Sequence, residues 1–105
     1  MKYKEIQIKT STYKKYLLLV GENRNSLCWL YAINKLQDLG YYNCYVEITD
    51  SNMEINLHIR EDRLETIPNL VMQLKGFISY MMRQDFPELK QYPRFWSKVY
   101  QVREF

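Results

Sequence analysis

Histidine, cysteine and long apolar runs are what this sequence has least of. Its 105 residues include one histidine and two cysteines. A structural zinc site needs four such ligands at close spacing, whereas Cys28 and Cys44 stand apart and His58 is alone, so a zinc centre is excluded. Both cysteines read as buried, reduced thiols of a cytosolic protein, Cys28 on a helix and Cys44 in a strand. No apolar stretch approaches the roughly 20 residues that span a bilayer. Met1-Lys2-Tyr3-Lys4-Glu5 does not lead into the apolar core of a signal peptide. A soluble, cytoplasmic protein with no membrane partner is expected. Charge of one sign is also scarce: 15 Lys and Arg against 12 Asp and Glu leave a net +3. That balance is compatible with nucleic acid without demanding it. No repeat, low-complexity segment or linker interrupts the chain, so residues 1–105 are expected to form one domain.

What is plentiful is apolar and aromatic. Apolar residues make up 47% and aromatics 15%, with ten tyrosines, which is a globular rather than a disordered composition. Tyrosine buries its ring and keeps its hydroxyl wet, so it suits a core edge or a binding surface equally.

Periodicity divides the chain into six elements. Ile6 and Ile8 alternate with Glu5, Gln7 and Lys9, which makes residues 4–10 a half-buried strand. Tyr16 to Val20 is a short apolar run that extends or follows it. Asn25 and Ser26 are cap residues ahead of a helical stripe of Leu27, Leu30, Ile33, Leu36 and Leu39, closed by Gly40. Cys44, Val46 and Ile48, then Met53, Ile55, Leu57 and Ile59, alternate on either side of the turn Asp50-Ser51-Asn52, as in a β-hairpin. Thr66 is placed to cap a second helix with Pro68 in its first turn and Ile67, Leu70, Val71, Leu74, Ile78 and Met81 or Met82 buried. Phe86-Pro87 stops it, and residues 95–105 have strand composition, with Trp96, Tyr100 and Val102 on one face and Phe95, Val99 and Phe105 on the other. The order strand, helix, strand, strand, helix, strand predicts an α+β, ferredoxin-like fold: a four-stranded antiparallel sheet with both helices on one face.

The other face of that sheet is open. With Met53, Ile55, Leu57 and Ile59 under the helices, Glu54, Asn56 and His58 share the open face. Elsewhere, Lys75, Arg83, Lys90, Arg94 and Lys98 interleave with Tyr80, Tyr92, Phe95 and Trp96. Cations that follow a phosphate backbone and rings that stack on bases are what single-stranded nucleic acid requires, although the same residues also make ordinary surface and core. Gly76 inside a helix costs about 1 kcal/mol against alanine. It points either to a close approach of another backbone or nucleic-acid strand, or to a packing contact with the sheet.

Leu74-Lys75-Gly76, Phe86-Pro87-Glu88-Leu89-Lys90 and the run Arg94-Phe95-Trp96-Ser97-Lys98-Val99-Tyr100, at their spacing from Met53 to Ile59, resemble the HUH-type single-tyrosine transposases of IS200-like insertion sequences. Thr12-Tyr13-Lys14-Lys15 is similar, with altered order, to the Thr-Lys-Tyr-Arg segment that ends the first strand in that family. The resemblance implies a ferredoxin-like domain that dimerises, often joining its sheets, and recognises hairpins in single-stranded DNA. It also implies two metal-binding histidines at i and i+2, and a tyrosine on a later helix that attacks the phosphate. Counting back from Leu74-Lys75-Gly76, those histidine positions fall on Glu54 and Asn56; a slip of two residues puts them on Asn56 and His58. Either way at most one histidine remains. No resident cofactor is expected, and if Glu54, Asn56 and His58 held an ion, oxygen donors would favour Mg²⁺ or Mn²⁺. The sequence ends at Phe105, before the place of the tyrosine helix, and Tyr80, Tyr92 and Tyr100 read as packing or surface residues.

Three functions follow as expectations. The first is a degenerate or truncated transposase-like domain that binds structured single-stranded DNA or RNA as a homodimer, without strand cleavage. Its nucleic-acid contacts would be Lys14, Lys15, Lys75, Arg83, Arg94, Trp96 and Lys98. The second is an active, divergent metal-dependent transposase or nuclease using Glu54, Asn56 and His58. The third is a ferredoxin-like protein interaction module.

Overall fold

The elements follow the side-chain period, and the first strand already sets the frame. In the computed structural model, which describes residues 2–12, 24–49, 52–92 and 94–105, β1 runs Tyr3–Thr12, α1 Arg24–Asp38, β2 Cys44–Ile48, β3 Asn52–Arg60, α2 Ile67–Asp85 and β4 Trp96–Glu104. Short 3₁₀ turns, Glu61–Thr66 and Pro87–Gln91, precede and follow α2. The strands form one antiparallel sheet in the order β2-β3-β1-β4, and both helices cover one face. This is the ferredoxin-like arrangement expected from the element order. The expected run Tyr16 to Val20, the residues Lys14 and Lys15 and the Asp50-Ser51 turn lie outside the described residues. None of the described helices is long and apolar enough to cross a membrane.

β3 is the keystone, paired with β1 along nine residues and with β2 along five. Met53, Ile55, Leu57 and Ile59 are all buried against α1 and α2. A one-residue slip would turn all four to water, at roughly 1.5–3 kcal/mol each, so the pattern enforces the register. From α2 come Ile67, Leu70, Val71, Leu74, Ile78 and Met82, the buried face that the 3.6-residue period marks out.

Several local expectations are corrected. Leu30 is 44% exposed, and the buried stripe of α1 is Cys28, Ala32 and Leu36, spaced four apart, with small residues that let the helix lie close to the sheet. Helix α1 begins at Arg24, so Asn25 and Ser26 sit within its first turn rather than ahead of it. Thr66 is helical and does not cap: its hydroxyl donates to the Arg63 carbonyl at 2.7 Å. The 3₁₀ turn feeds directly into α2 and supplies its first acceptor, with the Ile67 N–H donating to the Leu64 carbonyl. Cys44 is only half-buried. Phe95 and Trp96 are both buried, so the start of β4 does not alternate, and Val99 and Phe105 are exposed.

That lapse has a cause. Thr10 pairs with Tyr100 but Thr12 with Trp96, so two steps along β1 match four along β4. Residues 97–99 thus lie opposite Ser11 alone, two more than the ladder needs, and bulge, which releases carbonyl groups from the ladder. Those carbonyls need donors, and α2 supplies one.

Candidate nucleic-acid interface

Residues three and four apart on a helix share a face. Met72, Lys75, Gly76, Ser79 and Arg83 accordingly line the flank of α2 that looks across to the start of β4, and Arg94, Trp96, Lys98 and Tyr100 line the opposite wall. Between them lies an open groove of about 500 Å³. It brings together Lys75, Arg83, Arg94, Trp96 and Lys98, all five of the described residues that the sequence nominates for nucleic acid. Met72, Ser79 and Tyr100 were not nominated; the four-residue steps from Lys75 to Ser79 to Arg83 were the signal for Ser79.

Lys75 and the bulge hold the two walls together. Lys75 Nζ donates to the Ser97 carbonyl at 3.0 Å and the Val99 carbonyl at 3.4 Å, and it lies 5.6 Å from the centre of the Tyr100 ring. Trp96 Nε1 donates back to the Lys75 carbonyl at 3.0 Å. Thr10 Oγ1 also donates to the Val99 carbonyl, at 3.1 Å, and the Ser97 hydroxyl reaches the same oxygen at 3.3 Å. The carbonyls of Ser97 and Val99 are thereby satisfied. Removal from water lowers the Lys75 pKa from its ordinary value. Its ammonium is engaged with protein, so Lys75 shapes the groove from beneath.

Trp96 likewise differs from the expected stacking ring. It is 8% exposed and packs edge-on against Phe95 with ring centres 5.1 Å apart, forming the groove floor. Tyr80 is exposed outside the groove lining. Arg83 Nη2 donates to the Tyr92 carbonyl at 3.1 Å, while its Nε is buried with no partner among the described residues. Arg94 and Lys98 are exposed on the groove wall and form no ion pair or hydrogen bond among the described residues, so their charges are available. Gly76 is exposed in the groove, and a Cβ built there meets nothing within 4 Å. Packing against the sheet therefore does not explain the glycine. What it provides is a low point in the helix wall.

On the open face of the sheet, Glu54, Asn56 and His58 stand in a row as expected, opposite Lys9, Gln7 and Glu5 of β1. Lys9 Nζ lies 3.5 Å from Glu54 Oε1. A cation bound at Glu54 would have to displace or tolerate that ammonium, and no group of three His, Cys, Asp or Glu residues among the described residues is arranged to hold a metal.

No protein-family model matches the sequence, and no curated protein is significantly similar to it. Solved structures are. A Deinococcus radiodurans R1 protein described as a candidate transposase superposes with a TM-score of 0.81 at 23% identity, over 98% of this chain and 79% of its own. A REP-associated tyrosine transposase bound to a REP hairpin superposes at 0.66 with 10% identity, over 100% of this chain and 58% of its own. The chain has the fold of these transposases. It spans little more than half of the REP-associated one. The groove between α2 and β4 and the row Glu54, Asn56 and His58 lie on separate surfaces, the first on the helix-covered side of the sheet and the second on its bare face.

Proposed function

We propose that this chain is a transposase-like domain of the HUH single-tyrosine group that binds structured single-stranded DNA, as a homodimer, without cleaving it. The observation that carries the reading is the convergence of Arg83, Arg94 and Lys98 on one groove with a glycine-lowered wall. A groove with free cations on its rim suits a backbone that must be followed rather than read base by base. The hairpin held by the REP-associated transposase of the same fold supports a hairpin as the ligand. Hairpin RNA offers the same phosphates, and a binding series with hairpin, linear single-stranded and duplex DNA plus hairpin RNA decides between them. Preference for linear or duplex DNA would reject the hairpin reading. The protein is expected to work in the cytoplasm.

The absence of cleavage rests on the residues at the metal positions. Glu54 and Asn56, or with a slip of two residues Asn56 and His58, stand where the resemblance calls for two histidines, so at most one histidine is there, and Lys9 meets Glu54. A labelled hairpin incubated with Mg²⁺ or Mn²⁺ should stay intact and form no covalent protein adduct. Cleavage lost in Glu54→Ala would establish the active alternative instead.

Dimerisation is supported by an asymmetry of the sheet edges. At β2, Trp29 Nε1 donates to the Val46 carbonyl at 3.0 Å, which covers part of a five-residue edge. β4 is nine residues long, and its pairing with β1, with Phe105 N–H donating to the Glu5 carbonyl at 3.0 Å, turns the backbone groups of Tyr100, Val102 and Glu104 outward. Unpaired among the described residues, that edge is where a second sheet would add.

A further inference from the structure

Three tyrosines, Tyr3, Tyr41 and Tyr42, gather at one end of the open sheet face. Gly40, with φ of 93°, ends α1 in a Schellman turn: its N–H donates to the Gln37 carbonyl at 3.0 Å, and Tyr41 N–H donates to the Leu36 carbonyl at 2.9 Å. The turn presses Tyr41 against the core and sends Tyr42 and Asn43 out beside β2. Tyr3 begins β1 on the open face, and His58 stands on β3 at the same end. Tyr3, Tyr41, Tyr42 and His58 thus surround a hollow of about 430 Å³, in which Tyr3 is 60% and Tyr42 77% exposed. A smaller hollow of about 160 Å³ adjoins it through Asn43 and His58 and adds Glu5, which forms no ion pair among the described residues.

We propose that this pocket takes the guanidinium of an arginine presented by another polypeptide. Ring faces carry negative potential and attract cations. A carboxylate at the rim can accept two parallel N–H bonds from the planar guanidinium while the rings stack on its face, which an ammonium does less well. Charge decides against a nucleotide: among the described residues no Lys or Arg lines either hollow, and Arg60, paired opposite Tyr3, already holds Asp62 at 2.7 Å, so a phosphate near Glu5 would meet no uncommitted cation among them. In a chain of net charge +3, the cations instead line the groove between α2 and β4. The pocket is independent of the nucleic-acid reading and stands or falls separately.

The test is amide chemical-shift titration of the full chain with acetyl-Gly-Arg-Gly-amide, its citrulline analogue and a short oligothymidylate. Saturable shifts at Tyr3, His58 and residues 40–44 are expected with the arginine peptide. Citrulline, which keeps the shape and loses the charge, should bind about fivefold or more weakly. Tyr42→Ala and Glu5→Gln alter exposed side chains, and each should weaken the arginine peptide by about threefold or more. An equal response to citrulline, no response to arginine, or a response of these amides to the oligonucleotide alone would overturn the proposal.

Discussion

Trp96 and Lys75 grip each other's chain segments in opposite directions. The indole N–H of Trp96 reaches the Lys75 carbonyl at 3.0 Å, and the Lys75 ammonium reaches the carbonyl of Ser97, next to Trp96, also at 3.0 Å. A cation that looks in sequence like a phosphate contact is here the donor that completes a β-bulge. Its substitution should therefore behave differently from loss of the exposed cations.

Lys75→Met keeps the apolar stem and removes both the buried charge and its hydrogen bonds. Hydrogen bonds to charged groups contribute about 1.5–3 kcal/mol, but half-burying an ammonium costs a comparable amount, so the net change should stay within about 1 kcal/mol. Lys75→Glu sets a carboxylate against two carbonyl oxygens and should lose about 1–3 kcal/mol in urea denaturation. Equal losses in the two variants would contradict the bulge-donor role.

The lowered pKa of Lys75 fixes the sign of a pH effect. Between its folded value and the ordinary 10.5, the unfolded chain holds more protons on this group than the folded chain does, so its contribution to stability rises with pH across that window. Wild type should gain stability relative to Lys75→Met as pH is raised from neutrality toward 10.5. A stability difference that is flat with pH, or that moves the other way, would refute the desolvation argument.

Gly76 separates access from packing. The helix is regular there and open beyond, so Gly76→Ala should stabilise the fold by about 0.5–1 kcal/mol. Gly76→Leu should fold as well as wild type yet weaken hairpin binding, because its side chain stands in the groove. A Gly76→Leu variant that binds normally would remove this part of the helix wall from the interface.

In the proposed dimer the second sheet adds at the outward edge of β4. Val102→Pro deletes an outward N–H that the monomer does not use in its own sheet, so the fold should survive. Sedimentation equilibrium should find wild type dimeric and Val102→Pro monomeric, with Trp29→Ala still dimeric. A dimer that withstands Val102→Pro would place the contact elsewhere.

The strands and α2 were legible because each carries one unbroken period: Met53 to Ile59 alternates without exception, and Ile67, Leu70, Val71, Leu74 and Ile78 keep to one helical face. The stripe of α1 is legible only in part: Leu36 is buried and Leu27, Ile33 and Leu39 pack at the edge of the core, but Leu30 is exposed. Leu30 is more apolar than Ala32, yet the sheet admits small residues there, and hydrophobicity alone does not register closeness of approach. Thr66 misled for a similar reason: a cap residue is recognised by its neighbours, and a preceding 3₁₀ turn leaves no vacancy to cap. At the interface, the membership of Lys75, Arg83, Arg94, Trp96 and Lys98 was readable from sequence. Their division into free and engaged groups was not, because the bulge that engages Lys75 arises only from the pairing of β1 with β4.

The most direct test of the groove as a nucleic-acid site is the salt dependence of hairpin DNA binding for wild type, Lys75→Met and the double variant Arg94→Gln/Lys98→Gln. Each phosphate contact on a single strand contributes about 0.7 to the slope of log K against log salt. The double variant should bind more weakly across sequences with a slope shallower by about 1.4, while Lys75→Met keeps the wild-type slope. A double variant with unchanged slope and affinity would contradict the account.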